Sequence, residues 1–192
     1  MRRIILASGS PRRQELLGQM GVKFRVVVAD TQETHGRGRA ARSICKANAL
    51  AKAKEVAAAH PRHTVLGADT LVHLDDELFG KPKNLTEAKG MLRRLSAKIH
   101  QVTTACALVE HARKKAFSVT TRVGFRRLSS RQINDYLKAV AVLDKAGAYA
   151  IQEKGEWIVE SLHGSLTNVV GLPVDRLGME LAAWFDTDLS RL

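Results

Sequence analysis

The segment that most restricts how this chain can fold is Leu6-Ala-Ser-Gly-Ser-Pro-Arg-Arg-Gln-Glu-Leu-Leu17. Residues 2–6, from Arg2 to Leu6, read as a short buried strand, and residues 14–20 carry apolar side chains at helical spacing. The turn between them holds two hydroxyls, a glycine, a proline and two adjacent arginines. A tight turn into a helix exposes backbone N–H groups where the helix dipole favours an anion. Arginine adds a fixed charge whose fork fits phosphate oxygens. The same residues also suit a plain strand-to-helix connection, with Ser10 as the cap and Pro11 at the first helical position. Both readings stand on these residues alone.

The rest of the chain alternates in the same manner. Residues 24–29 (Phe-Arg-Val-Val-Val-Ala) read as a buried strand that runs into Asp30-Thr-Gln-Glu33. A polar loop follows around His35, Gly36, Arg37, Gly38 and Arg39. Residues 40–59, rich in Ala, Lys and Leu without Gly or Pro, predict a helix ended by His60-Pro61. Residues 64–74 predict a strand, in which Gly67 signals a bulge or a close approach to a ligand. Residues 75–77 are turn-like, and residues 86–95 have helical period. Residues 101–110 and 116–128 pair as strands around a turn at 111–115, and Ser130 opens a helix through Val140. A strand over 157–162, a short helical or turn segment over 164–171 and a last helix from Pro173 to about Phe185 complete the chain. No repeat and no linker interrupts it, so residues 1–192 read as one α/β domain.

Its 192 residues suffice for one sizeable core or two small lobes. No apolar run approaches the roughly 18 residues of a membrane span, and Ile4 to Ala7 is too short for a signal-peptide core. Cys45 and Cys106 lack metal spacing, read as small buried hydrophobes, and suit a reducing cytoplasmic setting. Lys and Arg outnumber Asp and Glu by 31 to 19, a net charge of +12 that invites polyanionic partners. Aromatic residues are only 5% and the basic residues are dispersed, which argues against a single-strand nucleic-acid binder and leaves a nucleotide pocket. The histidines show no zinc spacing, although His35 lies near Glu33; Trp157 and Trp184 read as packing residues.

The chemistry-bearing residues lie at element ends. Asp69 follows a buried strand run as a general base, a metal ligand or a capped turn residue, and Lys81 lies in the constrained loop Gly80-Lys-Pro82. Each says little alone. An anion loop with the acids Glu33 and Asp69 and the lysines Lys52 and Lys81 suits a phosphate-bearing substrate, which needs cations on its oxygens and a carboxylate-held metal or base.

Together these segments resemble the Maf family, the septum-formation inhibitors, which are nucleoside triphosphate pyrophosphatases. The resemblance rests on Ser8-Gly-Ser-Pro-Arg-Arg13 with Glu15-Leu-Leu17, Leu66-Gly-Ala-Asp-Thr70, Gly80-Lys-Pro82, Met91-Leu-Arg-Arg-Leu-Ser96, His100-Gln-Val-Thr-Thr104, Asp144-Lys-Ala-Gly-Ala-Tyr149 and Asn168-Val-Val-Gly-Leu-Pro173. It covers nearly the whole chain, in order. It implies an ITPase-like α/β fold, a twisted mixed sheet flanked by helices with two lobes around a substrate cleft. The implied activity is hydrolysis between the α and β phosphates with a divalent cation, Mg²⁺ or Mn²⁺. By matching motif, Asp69 is the implied proton acceptor, Ser8 and Arg13 hold the triphosphate, and Lys52 and Lys81 lie near phosphate charge. The resemblance likewise implies that Glu33, with Asp69, binds the metal or positions the water. The family's Leu-Ala-x-x-Lys-Ala reads Asn48-Ala-Leu-Ala-Lys-Ala53 here, so Lys54 competes with Lys52 for the phosphate-binding role.

Arg12, Thr70 and Gln152 stand where the branches of the family differ. Each resembles the dTTP/UTP branch rather than the 7-methyl-GTP branch, which typically has tryptophan after the proline and glutamine after the catalytic aspartate. Ala97 and Ala150 occupy positions where the family usually has glycine. The resemblance also implies a homodimer. A non-catalytic regulator that binds nucleotides or nucleic acid is the alternative of a different class.

Overall fold

The computed structural model describes residues 4–34 and 40–187. Arg2 and the expected loop at His35, Gly36, Arg37, Gly38 and Arg39 lie outside the described residues. The described elements are strands β1 (Ile4–Leu6), β2 (Phe24–Val26), β3 (Thr64–Leu74), β4 (Glu77–Phe79), β5 (Ile99–Glu110), β6 (Arg113–Phe125) and β7 (Val159–His163). The helices are α1 (Pro11–Gln19), α2 (Ala41–Ala59), α3 (Leu85–Leu95), α4 (Ser130–Ala139), α5 (Gly155–Ile158), α6 (Leu166–Val170) and α7 (Val174–Phe185). Among the described residues the strands form one seven-stranded mixed sheet in the order β2-β1-β3-β5-β6-β7, with β4 paired to β3. β1 runs parallel to both β2 and β3, whereas β3–β4 and β6–β7 are antiparallel. The expected α/β fold with a mixed sheet flanked by helices is therefore the fold of this chain.

The chain divides into two compact units. The first comprises residues 1–69, 104–119 and 171–192. Its core gathers Ile4, Ile5 and Leu6 of β1, Leu16 and Leu17 of α1, Val65 and Leu66 of β3, and Leu177, Leu181 and Trp184 of α7. The Trp184 indole N–H donates to Thr64 Oγ1 at 3.2 Å, and the Arg113 guanidinium lies 4.0 Å from the ring centre. Cys45 and Cys106 are both buried.

Gly67 decides how α2 meets β3. A Cβ built there would lie 2.2 Å from the Ala49 carbonyl oxygen and 2.9 Å from the Ala53 nitrogen. The close approach read from this glycine is therefore to a helix backbone, not to a ligand. It presses α2 onto β3, the strand that carries Asp69.

The second unit comprises residues 70–103 and 120–170. Val72, Phe79, Met91, Leu92, Leu95, Ile133, Tyr136 and Tyr149 belong to its core. Ser129 and Gln132 form a reciprocal capping box at the start of α4. Tyr136 Oη donates to the Ala150 carbonyl at 3.2 Å and accepts from its N–H at 3.0 Å, which holds the turn that follows. Gly147, at φ +71°, donates its N–H to the Gly80 carbonyl at 3.1 Å.

Several boundaries differ from the sequence reading. β2 ends at Val26 rather than Ala29, because its partner β1 ends at Leu6, opposite Val26. Val28 is consequently 65% exposed. α1 starts at Pro11, at the first helical position. The β5–β6 turn shrinks to two residues, with His111 at φ +51°. Trp157 lies in α5 rather than in a strand and is 41% exposed beside Lys154, so it is not a core residue.

Candidate active site

The first unit brings five of the expected site residues together: Ser8, Arg13, Glu33, Lys52 and Asp69. Ser8 follows β1, and its Oγ accepts from Arg13 Nη1 at 3.0 Å and from the Ser10 N–H at 3.3 Å. Arg13 Nε donates to the Gly171 carbonyl at 2.9 Å, so the guanidinium is held between the two. Gly171 reaches this place with φ +129°, a conformation open to glycine. Ser10 occupies the N-cap of α1 without a side-chain cap bond, and Pro11 follows it. The capping part of the plain-connection reading thus fails, whereas its proline part holds. Backbone N–H groups of the first turn keep the polarity that favours an anion.

Asp69 is 3% exposed on β3. Its Oδ1 accepts from Lys52 Nζ at 3.0 Å, and its Oδ2 accepts from Asn48 Nδ2 at 2.9 Å. Lys52 Nζ also donates to Glu33 Oε1 at 2.7 Å, so one ammonium joins both acids. Lys54 is exposed on the same helix. Of the two competing lysines, Lys52 is the one that reaches Asp69.

Burial lowers the Arg13 pKa from its ordinary value, Asp69, Cys106 and Glu33 oppose the shift, and the charge of Arg12 adds to it. The structure thus gathers Ser8, Arg13, Glu33, Lys52 and Asp69 into one charged cluster, with half-buried Arg12 beside Arg13. Burial also pushes the Cys106 thiol up to about 12, against the pull of Arg13, which suits an inert packing group.

Thr70, Lys81 and Gln152 belong to the second unit. Thr70 directly follows Asp69 and is half-buried. Lys81 is exposed, next to the Gly80 carbonyl tied to Gly147. Gln152 is exposed in a turn whose next residue, Glu153, lies 3.4 Å from the buried ammonium of Lys145.

Asn48 carries no role in the sequence reading. A signal existed: an asparagine inside an Ala-rich helix is unfavourable, and it lies one turn before Lys52, on the same face. Gly171 was legible only as part of a motif. For a divalent cation the chain offers the carboxylates of Glu33 and Asp69. Mg²⁺ typically takes one or two protein carboxylates and completes its shell with phosphate oxygens and water, so this donor set fits.

Residues 3–184 match the profile of the family described as "Maf-like protein". The chain belongs to this family. Maf relatives include a protein of Akkermansia muciniphila named "dTTP/UTP pyrophosphatase", 47% identical over 171 residues that cover 89% of this chain and 90% of the relative. A Bacillus mycoides protein of the same name is 45% identical over 190 residues, 99% of both chains. Among solved structures, the Staphylococcus aureus Ham1 protein shares the Maf chain's fold with a TM-score of 0.56 at 15% identity. That match covers 95% of this chain and 100% of the other.

Proposed function

We propose that this Maf protein is a nucleoside triphosphate pyrophosphatase acting on dTTP and UTP. The observation that carries the reading is the Lys52 ammonium joining Asp69 and Glu33 beside the Ser8–Arg13 loop. Relatives across nearly the whole chain are named for that activity.

In this reading the first turn of α1, Ser8 and Arg13 hold the triphosphate, and Lys52 and Lys81 add positive charge at its oxygens. Asp69 accepts a proton from water as the water oxygen bonds to the α-phosphorus. The bond from that phosphorus to the α–β bridging oxygen breaks, releasing pyrophosphate and the nucleoside monophosphate. The Lys52 and Asn48 contacts hold the carboxylate in place for that transfer. A divalent cation, Mg²⁺ or Mn²⁺ held by Glu33 and Asp69, supplies Lewis-acid charge stabilisation when bound. Arg12, Thr70 and Gln152 read the base. On this reading the setting is cytoplasmic, the assembly a homodimer and the role clearance of the nucleotide pool or arrest of cell division.

Pyrophosphate release from a panel of canonical and modified nucleoside triphosphates, with and without Mg²⁺ or Mn²⁺, tests the reading. Metal-dependent release from dTTP and UTP is expected. Preference for a purine or 7-methyl-GTP overturns the specificity argument. Salt-sensitive polyanion binding without turnover overturns the enzyme.

A further inference from the structure

We infer that Asn48 is a positioning residue, a two-ended clamp that sets Glu33 and Asp69 into register with each other; this rests on the pyrophosphatase reading of Asp69. Glu55, Lys52 and Asn48 project from one face of α2, at helical spacings of three and four residues. Each meets the segment after β2. Glu55 accepts from the Asp30 N–H at 2.9 Å and from the Thr31 hydroxyl. Lys52 holds Glu33, and Asn48 holds Thr34. The helix thus templates residues 30–34, and Glu33 is fixed from both sides.

Asn48 alone among these three bonds both the Thr34 backbone and Asp69. Its Oδ1 accepts from the Thr34 N–H at 2.9 Å, and its Nδ2 donates to the Thr34 carbonyl at 3.3 Å and to Asp69 Oδ2 at 2.9 Å. An asparagine amide has one acceptor oxygen and two N–H donors, and both ends are used at a site only 3% exposed. An amide paired to both polar groups of one residue holds that backbone as a neighbouring strand would. A helix interior disfavours asparagine, and a buried amide is tolerated only when bonded, so its two ends give the residue its purpose. It makes the placement of the Glu33 segment and the orientation of the Asp69 carboxylate one event.

Three proteins test this: the wild type, Asn48→Ala, which removes both ends, and Asn48→Asp. The carboxylate of Asn48→Asp would keep the oxygen that receives the Thr34 N–H but turn a second oxygen toward Asp69. Two quantities are read: amide exchange at Thr34, and kcat for dTTP set against the Kd of a non-hydrolysable analogue. In Asn48→Ala, Thr34 exchange should quicken by about tenfold or more as its partner is lost. Its kcat should fall about 10²-fold, the scale of a small misplacement of catalytic groups, with Kd within about threefold. Asn48→Asp should keep Thr34 protected yet lose kcat at least as severely. Native-like exchange in Asn48→Ala, or kcat within about twofold of wild type in either variant, overturns the clamp. A wild type without turnover counts against the pyrophosphatase reading, and the Thr34 exchange then decides the clamp by itself.

Discussion

Lys52 is where the charges of the site meet, and its two partners are not equivalent. Asp69 is buried and also bonded by Asn48, whereas the Glu33 side chain retains 33% of its exposure. Asp69→Asn removes the proton acceptor while keeping the shape of the side chain. It should lower kcat on dTTP by about 10²–10⁴-fold, the range for losing a general base. It also removes a negative charge from an anion-binding site, so without a divalent cation the Kd of a non-hydrolysable nucleotide should stay level or tighten. Pyrophosphate release and equilibrium titration check the two halves; a wild-type rate would remove Asp69 from the role of base. Most residues of this cluster were readable from motif order. Asn48 was not, because a buried asparagine declares itself only when its partners, here Thr34 and Asp69, are known. Ala97 is the converse case: its departure from the family glycine was plain in the sequence, and the structure adds that it holds φ +57°.

The pairing of α2 with β3 turns these residues into a site. Both elements were legible: β3 over 64–74 as expected and α2 one residue shorter than expected, because an Ala-rich run and a β-branched run declare their own period. The ends of β2 and β6 were not, since an edge strand stops where its partner stops and a hairpin where its turn closes. The strand expected over 157–162 is β7, but the first two residues of that range belong to α5, because a four-residue helix carries too little periodicity to see. Gly67 governs the pairing at this scale. Gly67→Ala places a methyl against backbone atoms of Ala49 and Ala53, which no rotamer change relieves. α2 must then move off β3, carrying Asn48 and Lys52 away from Asp69. The variant should lose about 1–3 kcal/mol of stability, typical of overpacking, and at least about tenfold in kcat. Urea unfolding and pyrophosphate release measure both; stability within about 0.5 kcal/mol with a normal rate would show that the helix yields freely.

For the molecule as a whole, Glu180, Glu55 and His100 tie stability to pH in separable windows. Glu180 is buried on α7. Burial tends to raise its pKa, but bonds from Lys115 and Arg176 prevail and hold it below the ordinary value. Thr31 and the Asp30 N–H do the same for Glu55. Both contributions are present above the ordinary carboxylate range and are lost only as pH falls below it. His100, in the second unit, acts earlier. It is fully buried, its Nε2 lies 2.9 Å from Tyr149 Oη, and its Nδ1 has no hydrogen-bond partner among the described residues. Burial, with the charge of His73 adding to it, lowers its pKa to about 4 from the ordinary 6.5. Between those values the unfolded chain binds a proton that the folded chain refuses, so stability rises with pH across the window and levels off above it. The full loss by pH 4 is on the order of 3 kcal/mol. His100→Gln keeps a polar partner for Tyr149 but does not titrate. Thermal unfolding at pH 7, 5.5 and 4.5 should show the wild-type midpoint falling steadily, and the variant, lower at pH 7, should lose markedly less over the same interval. Parallel curves for the two proteins would mean that His100 is not the group that destabilises the fold between pH 6.5 and 4.5.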